Sequence, residues 1–202
     1  MSDKKQLSFF EAFGEEEEKT FKPGNTAMGR SRPSPIARKL FESGKLKTHG
    51  VKSILDFGCG RGADVQFYQS KGFLAKGYDP HTPFGCATEP NGCFDMVSCL
   101  FVLNVIPNDS DRMKALESAV SYVTTGGLLV ISARTKRSIE QHARSRSWER
   151  YGDGYISSES RRTFQVGLDY PDLEVMVRKI APVDCREVKI SADASCLFGL
   201  IP

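Results

Sequence analysis

The chain has 202 residues, enough for one domain with a full hydrophobic core. It is 40% hydrophobic and 26% charged, ordinary for a globular protein, and a net charge of +3 does not by itself call for an acidic partner. No apolar run approaches the roughly 18 residues of a membrane span, and Met1-Ser-Asp-Lys-Lys-Gln6 lacks the apolar core of a signal peptide, so a cytoplasmic protein without membrane contact is expected.

Residues 1–25, with Glu15 to Glu18 and Pro23-Gly24, read as a solvated acidic tail. Ser8-Phe-Phe-Glu-Ala-Phe13 is the exception, expected to pack on the domain or to meet a partner. Residues 26–202 read as a single domain. Its first stretch, 30–52, is basic: seven Lys/Arg, Arg30 among them, stand against Glu42 alone. Ser34 followed by Pro35 predicts a helix start, and Gly44 its end.

An apolar run over 52–57 predicts a strand that ends on Asp56-Phe57. Glycines follow at 58, 60 and 62, with Cys59 between them, and a helical pattern starts near Ala63 and runs to about 70. A strand, a glycine-rich turn and a helix start together suit an anionic or nucleotide-like ligand held against bare backbone. A second strand over 73–78 ends in Lys76-Gly-Tyr-Asp79, where an acid can take both hydroxyls of a ribose. Residues 80–93 are too few for a helix and a further strand. Phe94-Asp-Met-Val-Ser-Cys-Leu100 predicts the next strand and Asp109-Ser110 the next helix, through Met113, Leu116, Val120 and Val123. The Thr124-Thr-Gly-Gly127 turn leads into a strand over 127–133. The 134–165 stretch carries a net charge of +4 and interleaves arginines with Trp148, Tyr151, Tyr155 and Phe164. A helix over 171–180 and two closing strands, 186–190 and 195–201, complete the chain, the last strand antiparallel.

The six cysteines form no C-x-x-C pair, and the three histidines lie at no metal-ligand spacing from them, so no metal site is expected. Two ligand classes use such a glycine turn. The dinucleotide fingerprint fits as Gly58, Gly60 and Ala63. The acid at 56, the acid at 79, the Phe94-Asp-Met-Val strand and the Gly126-Gly127 turn point elsewhere. In that order they resemble the class I S-adenosylmethionine-dependent methyltransferases over residues 51–133. The resemblance implies a Rossmann-like α/β sheet with helices on both faces. Its third strand is reduced or missing here, and its last strand antiparallel. It also implies S-adenosylmethionine as cofactor. Asp56 would accept from the cofactor's ammonium group; Gly58, Cys59, Gly60 and Gly62 would let the backbone approach it. Asp79 would take the ribose hydroxyls, Pro80 would fix the following turn, and Phe101 and Leu103 would lie at the strand's carboxyl edge. Arg61 either lies over the cofactor or salt-bridges to Asp64. His81 is either a base or a surface histidine.

A closer resemblance rests on Arg30-Ser-Arg-Pro-Ser-Pro35, Leu55 to Asp64, Gly77-Tyr-Asp-Pro80, Val102-Leu-Asn-Val-Ile106, Gly152-Asp-Gly-Tyr-Ile-Ser157 and Arg162-Thr-Phe-Gln165. These are similar to methyltransferases associated with DNA phosphorothioation gene clusters and their phage relatives, which implies a link to DNA modification. The expected acceptor is therefore nucleic acid or a nucleotide, met by Arg30, Arg144, Arg146, Trp148, Arg150 and Tyr155 on one basic rim. Asn104, the polar break in Phe101-Val-Leu-Asn-Val-Ile106, is the candidate catalytic residue, orienting the acceptor or merely capping the loop before Pro107. A small-molecule methyltransferase and a cofactor-binding scaffold without turnover remain the alternatives.

Overall fold

The computed structural model describes residues 19–27 and 29–202. The acidic run and the phenylalanines of the first eighteen residues lie outside this description. Residues 19–25, expected to belong to the tail, run along the domain, and a short 3-10 turn forms at Pro23–Thr26. Two helices follow, α1 (Pro35–Glu42) and α2 (Lys45–Thr48). The Ser34 hydroxyl accepts from Ala37 N at 3.0 Å, and Gly44, at φ 71°, ends the first helix as the left-handed position requires.

The core is a six-stranded sheet. In chain order come β1 (Ser53–Phe57), α3 (Ala63–Ser70), β2 (Leu74–Tyr78), β3 (Phe94–Leu100), α4 (Asp109–Ser121), β4 (Val123–Arg134) and α5 (Lys136–Ser145). A small antiparallel sheet is inserted next: β5 (Glu149–Tyr151), β6 (Gly154–Ser158) and β7 (Thr163–Gln165). Then α6 (Tyr170–Arg178), β8 (Asp184–Glu187) and β9 (Ala194–Leu200) close the chain. The large sheet runs β2-β1-β3-β4-β9-β8; β1 to β4 pair in parallel, and β9 is antiparallel to both its neighbours. No strand forms between β2 and β3, as the short 80–93 segment predicts, so among the described residues β2 is the sheet edge.

Strand alternation sorts the core into two layers. Leu55, Phe57, Val97, Cys99, Leu129 and Ile131 pack against Leu116 and Ala119 of α4 and Leu173 and Val177 of α6. Ile54, Met96, Val130 and Phe198 pack against Ile36 and Leu40 of α1 and Tyr68 of α3. Strands buried on both faces read as the near-continuous apolar runs seen in the sequence. The β4 strand starts earlier than predicted, because Phe94 pairs with Val123 and Met96 with Leu128; the Thr-Thr-Gly-Gly stretch is a bulge inside the strand. No helix among the described residues is long and apolar enough to cross a membrane.

Candidate functional site

The glycine turn forms where β1 hands over to α3. Gly58, Gly60 and Gly62 all have positive φ (76°, 56° and 76°), a conformation side chains resist. Gly58 N and Cys59 N both donate to the Tyr78 carbonyl, at 2.7 and 3.1 Å, tying the turn to the end of β2. Added side-chain volume at Gly58 would meet Val102. At Gly60 it would instead project into a cavity, its nearest neighbour being Ala27 Cβ at 3.6 Å. That cavity, about 1010 Å³, lies along the carboxyl ends of β1, β2 and β3. It is the crevice in which ligands of open α/β sheets bind.

Asp79 ends β2 on the cavity wall, where one carboxylate oxygen accepts from Gly60 N and the other from His81 N, each at 2.9 Å. A carboxylate has about four acceptor positions, so capacity remains for two hydroxyl donors. Pro80, Cys59, Phe101, Asn104 and Arg30 also line the cavity. Phe101 is held at φ 60°, rare for an aromatic residue and a mark of locally stored strain. The Arg134 guanidinium lies 5.6 Å from the Phe101 ring centre, within cation–π reach.

Asp56 does not reach the wall. It is on the opposite alternation from Leu55 and Phe57, faces the α1/α3 layer and accepts from Ser98 Oγ at 2.8 Å. Burial, then the nearby Asp64 carboxylate, pushes its carboxyl up to about 7. Asp64 is itself buried, accepting from Ser34 N at 2.6 Å and from Arg30 at 3.4 Å. Arg61 takes no part in that ion pair; its guanidinium sits 5.7 Å from the Phe84 ring centre. Arg30 replaces it because the chain before α1 passes beside the start of α3. Gly62 serves as the α3 N-terminus, and Leu103 is fully buried in the core; neither faces the cavity. His81 is on the wall with its ring 4.6 Å from that of Phe84.

Of the basic and aromatic residues expected to share one rim, only Arg30 is on the cavity wall. Arg144 belongs to α5, Arg146 and Trp148 to the turn after it, and Arg150 and Tyr155 to the β5–β6 hairpin; none of them lines the cavity. Arg146 stacks on Trp148 at 5.8 Å, Trp148 on His142 at 6.3 Å, and Arg150 on Tyr155 at 5.7 Å. The separation follows from α5, which carries these residues off the end of β4.

Several wall residues carry no mark in the sequence pattern. Lys22, Pro23, Gly24, Thr26 and Ala27 roof the cavity as a strap. The strap is anchored by Lys22 N donating to the Arg162 carbonyl at 2.8 Å and by Phe21 against Tyr151 (5.1 Å) and Phe164 (5.8 Å). Arg134, Gln165 and Asp193 complete the wall from β4, β7 and the turn before β9. Cys59 and Cys86 are free thiols with their sulfurs 3.1 Å apart, and burial pushes the Cys59 thiol up. Among the described residues no cluster could hold a metal ion. The bare turn at Gly60, the acid at Asp79 and the size of the cavity fit an adenosyl amino-acid cofactor.

The model of a family described as "Methyltransferase domain" matches residues 28–175. No curated protein matches the chain in sequence. Among solved structures, the chain resembles an S-adenosylmethionine-dependent methyltransferase from Clostridium acetobutylicum, with TM-score 0.63, 12% identity and coverage of 83% of this chain and 92% of that one. It resembles an S-adenosylmethionine-bound amino-pentose methyltransferase of calicheamicin biosynthesis from Micromonospora echinaspora (TM-score 0.58, 11% identity, coverage 84% and 92%). It also resembles the 1,6-didemethyltoxoflavin N1-methyltransferase of Burkholderia thailandensis, crystallised with S-adenosylhomocysteine (TM-score 0.55, 15% identity, coverage 83% and 79%). At these identities the likeness is one of fold.

Proposed function

We propose that this chain, which belongs to the methyltransferase domain family and uses S-adenosylmethionine, transfers the methyl group to a nucleotide unit, free or within nucleic acid. The observation that carries the acceptor class is the charge of the cavity wall: Lys22, Arg61 and Arg134 stand against Asp79 and Asp193, beside Arg30, which is paired with the buried Asp64. A cavity of about 1010 Å³ is at the upper end for a single small ligand. It has room for cofactor and a nucleotide-sized acceptor together.

The cofactor, when bound, supplies an activated methyl group on a sulfonium. The chain supplies position and exclusion of water. Asp79 accepts from the ribose hydroxyls, and the Gly58–Gly60 backbone lets the cofactor lie close. The strap at 22–27 covers the crevice, and Arg30 and Arg134 attract the acceptor's anionic group. Asn104, at the carboxyl edge beyond β3, orients the acceptor. A DNA-modification setting in a reducing cytosol belongs to this reading. It is supported by the Arg30–Pro35 stretch, which places Arg30, Ser34 and Pro35 on the wall, by Gln165 of the Arg162–Gln165 stretch, and by six free thiols. The domain division, an acidic tail before a single catalytic domain, is part of the proposal, with residues 19–25 moved into the domain as its strap.

A second reading, methyl transfer to an uncharged small molecule, is favoured by the apolar side chains of the wall, among them Phe57, Val102, Val105 and Ile106. The test is incubation with methyl-labelled S-adenosylmethionine and separate pools of nucleotides, oligonucleotides and small metabolites. Label in a nucleotide or oligonucleotide pool is expected. Label only among uncharged metabolites would replace the first reading by the second. Cofactor binding with no pool labelled would leave a binding protein without turnover.

A further inference from the structure

The residue pair Asn104–Gln165 joins the core to the inserted sheet at the cavity wall. Asn104 is 2% exposed and lies in the 3-10 turn beyond β3; Gln165 is the last residue of β7. Asn104 Nδ2 donates to Gln165 Oε1 at 2.9 Å, and Val166 N donates to the Asn104 carbonyl at 2.9 Å. The pair does not close into a ring. Asn104 Oδ1 is buried with no partner among the described residues, and Gln165 Nε2 donates to none of them. A buried acceptor left unpaired is unfavourable unless a ligand donor meets it. Both residues line the cavity, so the pair leaves one buried acceptor and one donor without a partner at its wall.

We propose that Asn104 and Gln165 bind the methyl acceptor through a lactam edge, an N–H next to a carbonyl in a planar ring. The ring N–H donates to Asn104 Oδ1, and the ring carbonyl accepts from Gln165 Nε2. Phe101, three residues from Asn104, lines the same cavity with Arg134 over its ring. The inference rests on reading this cavity as the acceptor site, and it narrows that reading to rings that carry such an edge. A ring with the N–H blocked leaves Oδ1 unpaired and is rejected, because a site built on hydrogen bonds discriminates by the groups it strands.

The experiment measures binding to the protein saturated with S-adenosylhomocysteine. The probes are uridine monophosphate against its N3-methyl form, and 2-pyridone against N-methyl-2-pyridone. Each parent is expected to bind at least about tenfold tighter than its methylated form, the worth of one lost hydrogen bond. Gln165→Glu keeps the oxygen that accepts from Asn104 but replaces the outward donor by an acceptor. It should abolish both preferences while cofactor-product affinity and melting temperature stay unchanged, which a purely structural role for the pair does not predict. Equal binding of parent and methylated forms, binding of neither, or a preference that survives Gln165→Glu overturns the inference. A 2-pyridone preference with no binding of uridine monophosphate would uphold it and defeat the nucleotide reading instead.

Discussion

In the proposed reading, Asp79 is the residue on which cofactor binding turns. Its carboxylate both faces the cavity and fixes the Gly60 and His81 amides. Hydrogen bonds to a charged group are worth about 1.5–3 kcal/mol, so Asp79→Ala should weaken S-adenosylmethionine binding at least about tenfold by calorimetry; unchanged affinity would remove it from the site. Asp56, two positions before the first glycine, has a different consequence. Its carboxyl, raised to about 7 by burial and by Asp64, titrates near 3.9 in the unfolded chain. The folded protein therefore holds a proton that the unfolded chain has released. The contribution of this group is full below about pH 4 and is lost as the pH rises through about 7, by something on the order of 4 kcal/mol. Urea midpoints of the wild-type protein should fall over that window, and Asp56→Asn should remove the fall. Identical slopes in the two proteins would mean that Asp56 does not titrate there. The sequence shows an acid at 56 but not its direction. Strand alternation and the position of α3 decide that it faces the layer beneath the turn.

Among the elements, the strap before α1 and the inserted sheet depend on each other. Phe21 stacks on Tyr151 and Phe164, and the Lys22 amide bonds to the Arg162 carbonyl, so the roof of the cavity hangs from β5 and β7. Aromatic pairs contribute about 0.5–1.5 kcal/mol each beyond burial. Phe21→Ala should loosen the roof and weaken cofactor binding by roughly three- to tenfold. A titration that shows wild-type affinity would mean the strap does not cover the bound cofactor. The β1–α3 and β3 elements were legible because an apolar run, glycines at 58, 60 and 62 and a helix start are local signals. The strap was not, because Lys22 to Ala27 gain their place from partners about 140 residues away, Arg162 among them.

At the scale of the whole molecule, positive charge is divided between two surfaces. The cavity wall carries Lys22, Arg30, Arg61 and Arg134, whereas Arg144, Arg146 and Arg150 lie with Trp148 and Tyr155 on the α5–β5 face. If that outer face meets nucleic acid, oligonucleotide binding will fall with salt by a log–log slope of several units. Replacing the three arginines by alanine should flatten the slope and leave cofactor affinity unchanged; a salt-independent interaction, or none at low salt, would limit the acceptor to what the cavity alone admits. The sequence by itself determined the order of strands and helices from β1 to β4 and from α6 to β9, the glycine turn, the acid at 79 and the missing third strand, since each depends on periodicity or spacing within a short stretch; α5 and the sheet β5–β7 carried no such signal. Only the tertiary structure decided that Arg30 rather than Arg61 pairs with Asp64, that Gln165 and Arg134 reach the cavity, and that the outer arginines do not. These contacts join residues far apart in the chain, and the packing of α1 against α3 and of the inserted sheet against the end of β3 brings them together.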